Sequence, residues 1–118
     1  MAKLQSFTGE YLEETLEELL EEVCECISYT YPESQIILYG PFAIGEFDQD
    51  SYINFCVLVP DIFGSRIRMN TNIGCFFPDD FPINYSTITF TFDEYERKSQ
   101  DKKKLHYRIK KEGKVLLG

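Results

Sequence analysis

The chain has 118 residues, 43% of them hydrophobic and including ten Phe and eight Tyr, which is enough apolar material for one folded domain and excludes a disordered chain. Its formal net charge of −8 disfavours general binding to nucleic acid. No apolar run approaches the roughly 18 to 20 residues of a membrane span, and residues 1–6 lack the apolar segment of a secretory signal. We therefore expect one domain over residues 1–118, located in the cytoplasm and away from membranes.

The charges divide the sequence into two parts. Between residues 4 and 65 there are thirteen Asp and Glu and no Lys or Arg. Residues 66–118 carry eleven basic and seven acidic residues, which gives a net charge of +4. The two parts can attract each other, either within one molecule or between molecules.

The first predicted element is an acidic amphipathic helix from about residue 9 to residues 29–30. Its apolar residues recur at helical spacing and form one stripe: Leu12, Leu16, Leu19, Leu20, Val23 and Ile27. Thr8 is the candidate cap, and Pro32 is a stop signal after the helix. Eight glutamates mostly cover the other face, and no lysine accompanies them. This face is therefore either solvated or a binding surface for a basic partner.

Short runs of apolar and β-branched residues predict the other elements. We expect strands at residues 35–39, 52–59 and 83–91, a half-exposed edge strand at 65–69, and a last short strand at 114–117. Helical pieces are expected at residues 42–45, after the capping-box spacing of Thr91 and Glu94, and at about 104–112 before Gly113. This order of elements predicts one α+β domain.

Two segments, residues 37–45 (ILYGPFAIG) and 50–55 (DSYINF), resemble the signature of minimal nucleotidyltransferases of the DNA polymerase beta-like superfamily. Residues 92–98 (FDEYERK) and 106–116 (HYRIKKEGKVL) look like the closing helix and strand of such domains, so the resemblance covers about residues 34–117. It implies a mixed sheet of four to five strands, with the N-terminal helix and the short C-terminal helices packed on it. In that family a Gly-Ser turn and an Arg contact the triphosphate, and strand carboxylates hold divalent metal ions.

The chain departs from the family pattern at almost every functional position. The resemblance aligns the glycine with Gly40, the serine with Pro41, the arginine with Ile44, and the three metal-binding aspartates with Tyr52, Asn54 and Asn84. Proline has neither a hydroxyl nor an amide hydrogen to donate, and asparagine offers a neutral carbonyl where a metal site needs charge. We call these six residues the predicted nucleotide site. No catalytic or metal-binding set is intact there.

The leading hypothesis is a nucleotidyltransferase-fold protein that has lost catalysis, needs no cofactor, and works as a binding or regulatory protein. The resemblance points to an antitoxin-like role beside a small helical partner encoded nearby, while association of identical copies explains the charge pattern equally well. The alternative is an active enzyme that uses Mg²⁺ and a nucleoside triphosphate through displaced carboxylates, Asp48 and Asp50. These two lie in a polar loop, where aspartates are ordinarily solvated turn residues.

A third hypothesis is a small RNA-binding module. It would use a basic C-terminal cluster with interleaved tyrosines, although a solvated helix face is the plainer interpretation. The cluster consists of Arg97, Lys98, Lys102, Lys103, Lys104, Arg108, Lys110, Lys111 and Lys114. The single histidine, His106, is expected to have a structural or surface role. The four cysteines have neither redox nor zinc-binding spacing, so we expect buried, reduced thiols.

Overall fold

The computed structural model describes the backbone of residues 10–48 and 50–117 and the side chains of residues 18–48 and 50–116. The predicted Thr8 cap and the first residue of the predicted helix lie outside the described residues. The elements in chain order are α1 (Glu10–Thr30), β1 (Gln35–Tyr39), α2 (Pro41–Ile44), β2 (Ile53–Val59), α3 (Arg66–Gly74), β3 (Tyr85–Thr91), α4 (Phe92–Lys98), α5 (Leu105–Glu112) and β4 (Lys114–Leu117).

The four strands form one mixed sheet in the order β3-β2-β1-β4. Strand β1 runs antiparallel to both of its neighbours, β2 and β4, whereas β2 and β3 run parallel. The long connection through α3 makes the parallel pairing of β2 and β3 geometrically feasible. The predicted α+β class and mixed sheet are confirmed.

Side chains alternate between the two faces of the sheet along each strand, and the two central strands carry apolar side chains on both faces. Other elements therefore cover both faces of the sheet. On one face, which we call the α1 face, Leu38 and Phe55 belong to a core that includes Val23 and Ile27 of α1. On the other, the α5 face, Cys56 and Phe90 pack with residues of α4 and α5. This two-sided burial explains the nearly continuous apolar run of β2.

The predicted edge strand at residues 65–69 is wrong, because this segment begins helix α3. Ser65 is the N-cap, and its Oγ accepts a hydrogen bond from the backbone N–H of Arg68 at 3.0 Å. Ile67, one of the two apolar residues in the alternating pattern, is 81% exposed, whereas Met69 and Ile73 are buried. The pattern that matters is therefore the helical i, i+4 spacing of Met69 and Ile73.

Helix α3 also supplies a hydrogen-bonding side chain, Asn70, to the edge strand β3. The Asn70 side chain donates a hydrogen bond from Nδ2 to the carbonyl oxygen of Thr87 and accepts one at Oδ1 from Thr89 Oγ1, each at 2.9 Å. A side-chain amide here replaces part of the backbone pairing that another strand would supply, which protects β3 from pairing with a foreign strand.

The other predicted elements are confirmed with small shifts of their ends. Gly45 ends α2 in the left-handed conformation, with φ of 74°. Thr91 Oγ accepts the N–H of Glu94 at 3.0 Å and so begins α4 as predicted. The prediction of buried thiols is confirmed for Cys24 and Cys56 and is wrong for Cys26 and Cys75, which are exposed.

Candidate functional site

The registers of β1, β2 and β3 place three polar side chains side by side on the α5 face. Tyr39 pairs with Asn54 across β1 and β2, and Asn54 pairs with Ser86 across β2 and β3. Residues that are paired across strands project from the same face. We call Tyr39, Asn54 and Ser86 the polar row.

A short hydrogen bond joins two members of the polar row: Ser86 Oγ donates to Asn54 Oδ1 at 2.6 Å. Burial raises the pKa of the Tyr39 hydroxyl, followed by the effect of Cys56, so the phenol stays protonated at neutral pH. The row is therefore a set of neutral groups, two of which are hydrogen-bonded to each other.

Gly40 lies directly beneath the Asn54 amide. Its φ is 83°, and a Cβ built at this position would lie 2.5 Å from Asn54 Nδ2. A side chain at residue 40 would therefore collide with the amide and strain the backbone as well. Pro41 follows at the first position of α2, where an ordinary residue would present a free N–H and proline does not.

A cavity of about 200 Å³ opens beside these residues, between the strand ends and helix α5. Its lining comprises Tyr39, Gly40, Pro41, Asn54, Leu105, Arg108 and Glu112. A typical small-molecule pocket measures roughly 300 to 1,000 Å³, so this cavity is small for a nucleoside triphosphate. The contributions of Tyr39 and of α5 were not predicted, because no local pattern in the sequence shows which strand end a distant helix covers.

The structure brings together only part of the predicted nucleotide site. Gly40, Pro41 and Asn54 line the cavity, whereas the side chains of Ile44 and Tyr52 are about half exposed to solvent. Asn84 is exposed just before β3, and its carbonyl oxygen accepts the N–H of Ile53 at 2.9 Å. The residue beside Asn54 on β3 is Ser86, which sequence reasoning missed. The parallel register of β2 and β3 decides this, and no sequence pattern specifies it.

Asp48, one of the two displaced carboxylates, is already used in its own turn. Its Oδ1 accepts the N–H of Asp50 at 2.9 Å and the hydroxyl of Ser51 at 3.2 Å. This is an ordinary turn role for aspartate. Among the described side chains, those of residues 18–48 and 50–116, no three of His, Cys, Asp or Glu converge in a way that could hold a metal ion.

A second polar group lies at the other end of β3 and consists of Arg66, Glu94, Lys98 and His106. We call it the Glu94 cluster. Glu94 is buried and accepts hydrogen bonds from Arg66 Nη2 at 2.7 Å and from Lys98 Nζ at 2.8 Å. Burial raises the pKa of Glu94, but the hydrogen bonds and positive charges of Lys98 and Arg66 outweigh burial and hold the pKa below its ordinary value.

His106 is buried against Phe90, with ring centroids 4.1 Å apart. Neither of its ring nitrogens has a hydrogen-bond partner. Burial lowers its pKa, and the nearby positive charges, Lys98 first among them, act in the same direction, while Glu94 opposes them. Of the two roles expected for His106, structural or surface, its burial fits the structural one, and an enclosed imidazole without a polar partner is poorly placed as a general base.

Several members of the basic C-terminal cluster pair with acids of α4. Lys98 contacts Glu94, Lys110 contacts Glu96 at 2.7 Å, and Arg97 lies 4.0 Å from Asp93. These contacts fit a charged helix surface. In the part of the chain that the structure describes, no helix is both long and apolar enough to cross a bilayer.

Together, the mixed sheet, the strand–Gly40–α2 turn and the closing α4–α5–β4 unit define a nucleotidyltransferase-like α+β fold. A crystal structure described as a "putative nucleotidyltransferase" from Sulfolobus solfataricus is similar to this chain, with a TM-score of 0.60 and 16% sequence identity. The alignment covers 94% of this chain and 90% of the other. At this identity the likeness concerns the fold. No protein-family model matches the sequence, and the search of curated proteins gives no match.

Proposed function

We propose that this protein is a nucleotidyltransferase-fold protein that has lost catalysis and acts by binding. The observation that carries the proposal is the 2.6 Å hydrogen bond from Ser86 Oγ to Asn54 Oδ1. Where an enzyme of this fold needs carboxylates held apart by metal ions, this chain has neutral groups in direct contact. Two neutral groups supply little of the charge that attracts Mg²⁺.

The phosphate side of the predicted nucleotide site supports the same conclusion. Close approach of a phosphate to Gly40 would use the space that the Asn54 amide now occupies. Pro41 contributes no N–H, and Ile44 contributes an exposed apolar side chain in place of a positive charge. The loss of charge thus affects metal binding and phosphate binding together.

A calorimetric titration tests the loss of catalysis. ATP, GTP, CTP and UTP are each added to the full chain, with and without Mg²⁺ or Mn²⁺. We expect no binding that depends on the metal. Metal-dependent binding of a nucleotide would overturn the proposal. If Asp48→Asn then abolished that binding, the alternative enzyme with displaced carboxylates would be supported. Glu46→Gln is the control in the same loop.

The second part of the proposal is a protein partner. The charge pattern supports a contact that is partly electrostatic, because residues 4–65 carry thirteen acids and no base. By resemblance, an antitoxin-like role with a small helical partner is the first form of this contact to test, and self-association is the second. Sedimentation at 50 mM and 500 mM salt separates them, since self-association gives a mass that depends on protein concentration and decreases as salt screens the charges.

A further inference from the structure

A second cavity lies at the end of β2 opposite to the predicted nucleotide site. Asn54 and Val59 are five residues apart on this strand, roughly 16 Å at the usual rise. The cavity measures about 360 Å³ and is lined by Thr30, Tyr31, Pro32, Glu33, Val59, Pro60, Asp61, Phe63 and Met69. We call it the Phe63 pocket. Its volume is in the range that accepts one or two large side chains.

The lining of the Phe63 pocket includes one strongly exposed aromatic side chain. Phe63 itself is 75% exposed, whereas Met69 on the same wall is buried. An exposed aromatic side chain at the wall of an apolar pocket is typical of a binding surface for another protein.

The charge at this surface is mainly negative. Glu33 and Asp61 belong to the lining, which contains no Lys or Arg. Helix α1 leads into the pocket at Thr30, and its glutamates Glu18, Glu21, Glu22 and Glu25 are exposed. Arg68, beside Met69, is an exposed positive charge at the α3 edge. The acidic groups outnumber it, so the field favours a positively charged partner.

Glu33 adds an independent observation. Its φ is 66°, and within the described backbone it is the single residue other than glycine with a positive φ. Gly or Asn would adopt this conformation more easily than Glu. Glu33 thus brings a carboxylate to the lining of the pocket from a backbone conformation that is less favourable for a residue with a side chain.

We propose that the Phe63 pocket docks a protein segment that presents a large apolar side chain flanked by Lys or Arg. The apolar side chain enters between Phe63 and Met69, and the basic residues face Glu33 and Asp61. This proposal shares with the proposed function the idea that the chain works by binding. It does not depend on whether the predicted nucleotide site is inactive, because the two sites lie at opposite ends of β2.

A tryptophan-containing peptide tests the proposal, because the chain itself contains no tryptophan. The probe is Lys-Lys-Trp-Leu-Lys-Lys, and the charge-inverted control is Glu-Glu-Trp-Leu-Glu-Glu. We expect a saturable blue shift of the peptide emission that is specific to the basic probe and weakens with salt. Phe63→Ser should weaken binding at least tenfold, the scale of a hot-spot contact. Glu33→Asn should weaken it several-fold while the turn is kept.

Tyr52→Ser is the matched control, since Tyr52 is an exposed aromatic residue at the other end of β2. It should leave binding unchanged. Four results would overturn the proposal: no saturable binding of the basic peptide, equal binding of the acidic peptide, loss of binding in Tyr52→Ser with retention in Phe63→Ser, or self-association that Phe63→Ser abolishes. The last would mean that a second copy of the chain occupies the pocket. None of these results depends on the nucleotide titration, so the two proposals fail separately.

Discussion

Strand β3 has a polar cluster near each end. One cluster consists of neutral side chains, and the other contains an ionised carboxylate paired with bases. Near its beginning, the polar row contains a phenol, an amide and a hydroxyl that carry no charge, and a hydrogen bond joins the hydroxyl to the amide. At its end, the Glu94 cluster holds a buried carboxylate between a guanidinium and an ammonium group.

The difference shows what a carboxylate needs in this fold. Glu94 remains ionised because Arg66 and Lys98 supply positive charge from the chain itself. Beside the polar row, the cavity lining contains one base, Arg108, and one acid, Glu112. Since that lining has no excess of positive charge, neutral side chains are the stable choice at that end of the strand.

The largest expected effect comes from placing carboxylates in the polar row. In Asn54→Asp combined with Ser86→Asp, two negative charges replace a hydrogen-bonded pair, and we expect a loss of about 3 kcal/mol in the free energy of unfolding at pH 7 in EDTA. Urea denaturation measures it. Asn54→Asp alone should cost about 1 kcal/mol. Equal stability of the single and double variants would show that the two side chains are not in contact.

Glu94→Gln should lower the free energy of unfolding by about 2 kcal/mol at pH 7, because it removes charge-assisted hydrogen bonds to Lys98 and Arg66. Glu96→Gln is the control: Glu96 pairs with Lys110 on the exposed surface, where such pairs contribute about 0 to 1 kcal/mol. Similar losses in both variants would contradict a special role for burial at Glu94.

The Glu94 cluster also predicts acid sensitivity. Because the pKa of Glu94 is lower in the folded state than its ordinary value of 4.5, its contribution to stability is present above pH 4.5 and is lost as the pH falls through the folded pKa. Denaturation of the wild type and of Glu94→Gln between pH 6 and pH 3 should therefore give curves that converge at the acidic end. Parallel curves would be inconsistent with this linkage.

His106 gives a smaller effect at higher pH. The pKa of His106 in the folded state lies below the ordinary 6.5. Below pH 6.5 the imidazole is therefore protonated more readily in the unfolded chain than in the folded chain. Stability should fall as the pH drops from 6.5, by at most about 1.4 kcal/mol per pH unit. His106→Phe should remove this slope. The chain has one histidine, so its NMR titration gives an unambiguous check: a pKa at or above 6.5 would refute the prediction.

The smallest expected effect concerns the helix that supplies Arg66. Ser65→Ala removes the cap of α3 and should cost about 1 kcal/mol. Thr71→Ala is the matched control, because its hydroxyl only donates to the Ile67 carbonyl within the same helix and its loss should change stability by a few tenths of a kcal/mol. Thermal melts of both variants measure the difference, and a harmless Ser65→Ala would argue against the capping role.

Local patterns in the sequence predicted most of the elements, whereas the predicted nucleotide site came from the family resemblance. The capping-box spacing located the start of α4, and the Gly40-Pro41 break located the end of β1. The predicted strand at residues 65–69 was wrong, because the exposed Ile67 and the buried Met69 gave the alternation of apolar residues that is typical of a strand. The resemblance pointed to Asn84 and gave no role to Ser86, because a strand's register depends on its partner and not on its own residues.

What the sequence determined by itself was the set of residue types: a long acidic helix, apolar strands, and the neutral polar residues Tyr52 and Asn54 around the start of β2. Those are local properties, fixed by periodicity and by side-chain chemistry. The tertiary structure alone decided which side chains meet. It placed Ser86 against Asn54, brought α5 over Gly40, and joined Arg66 to Glu94 across 28 residues. These contacts arise from the packing of elements that are distant in sequence, and no local pattern specifies them.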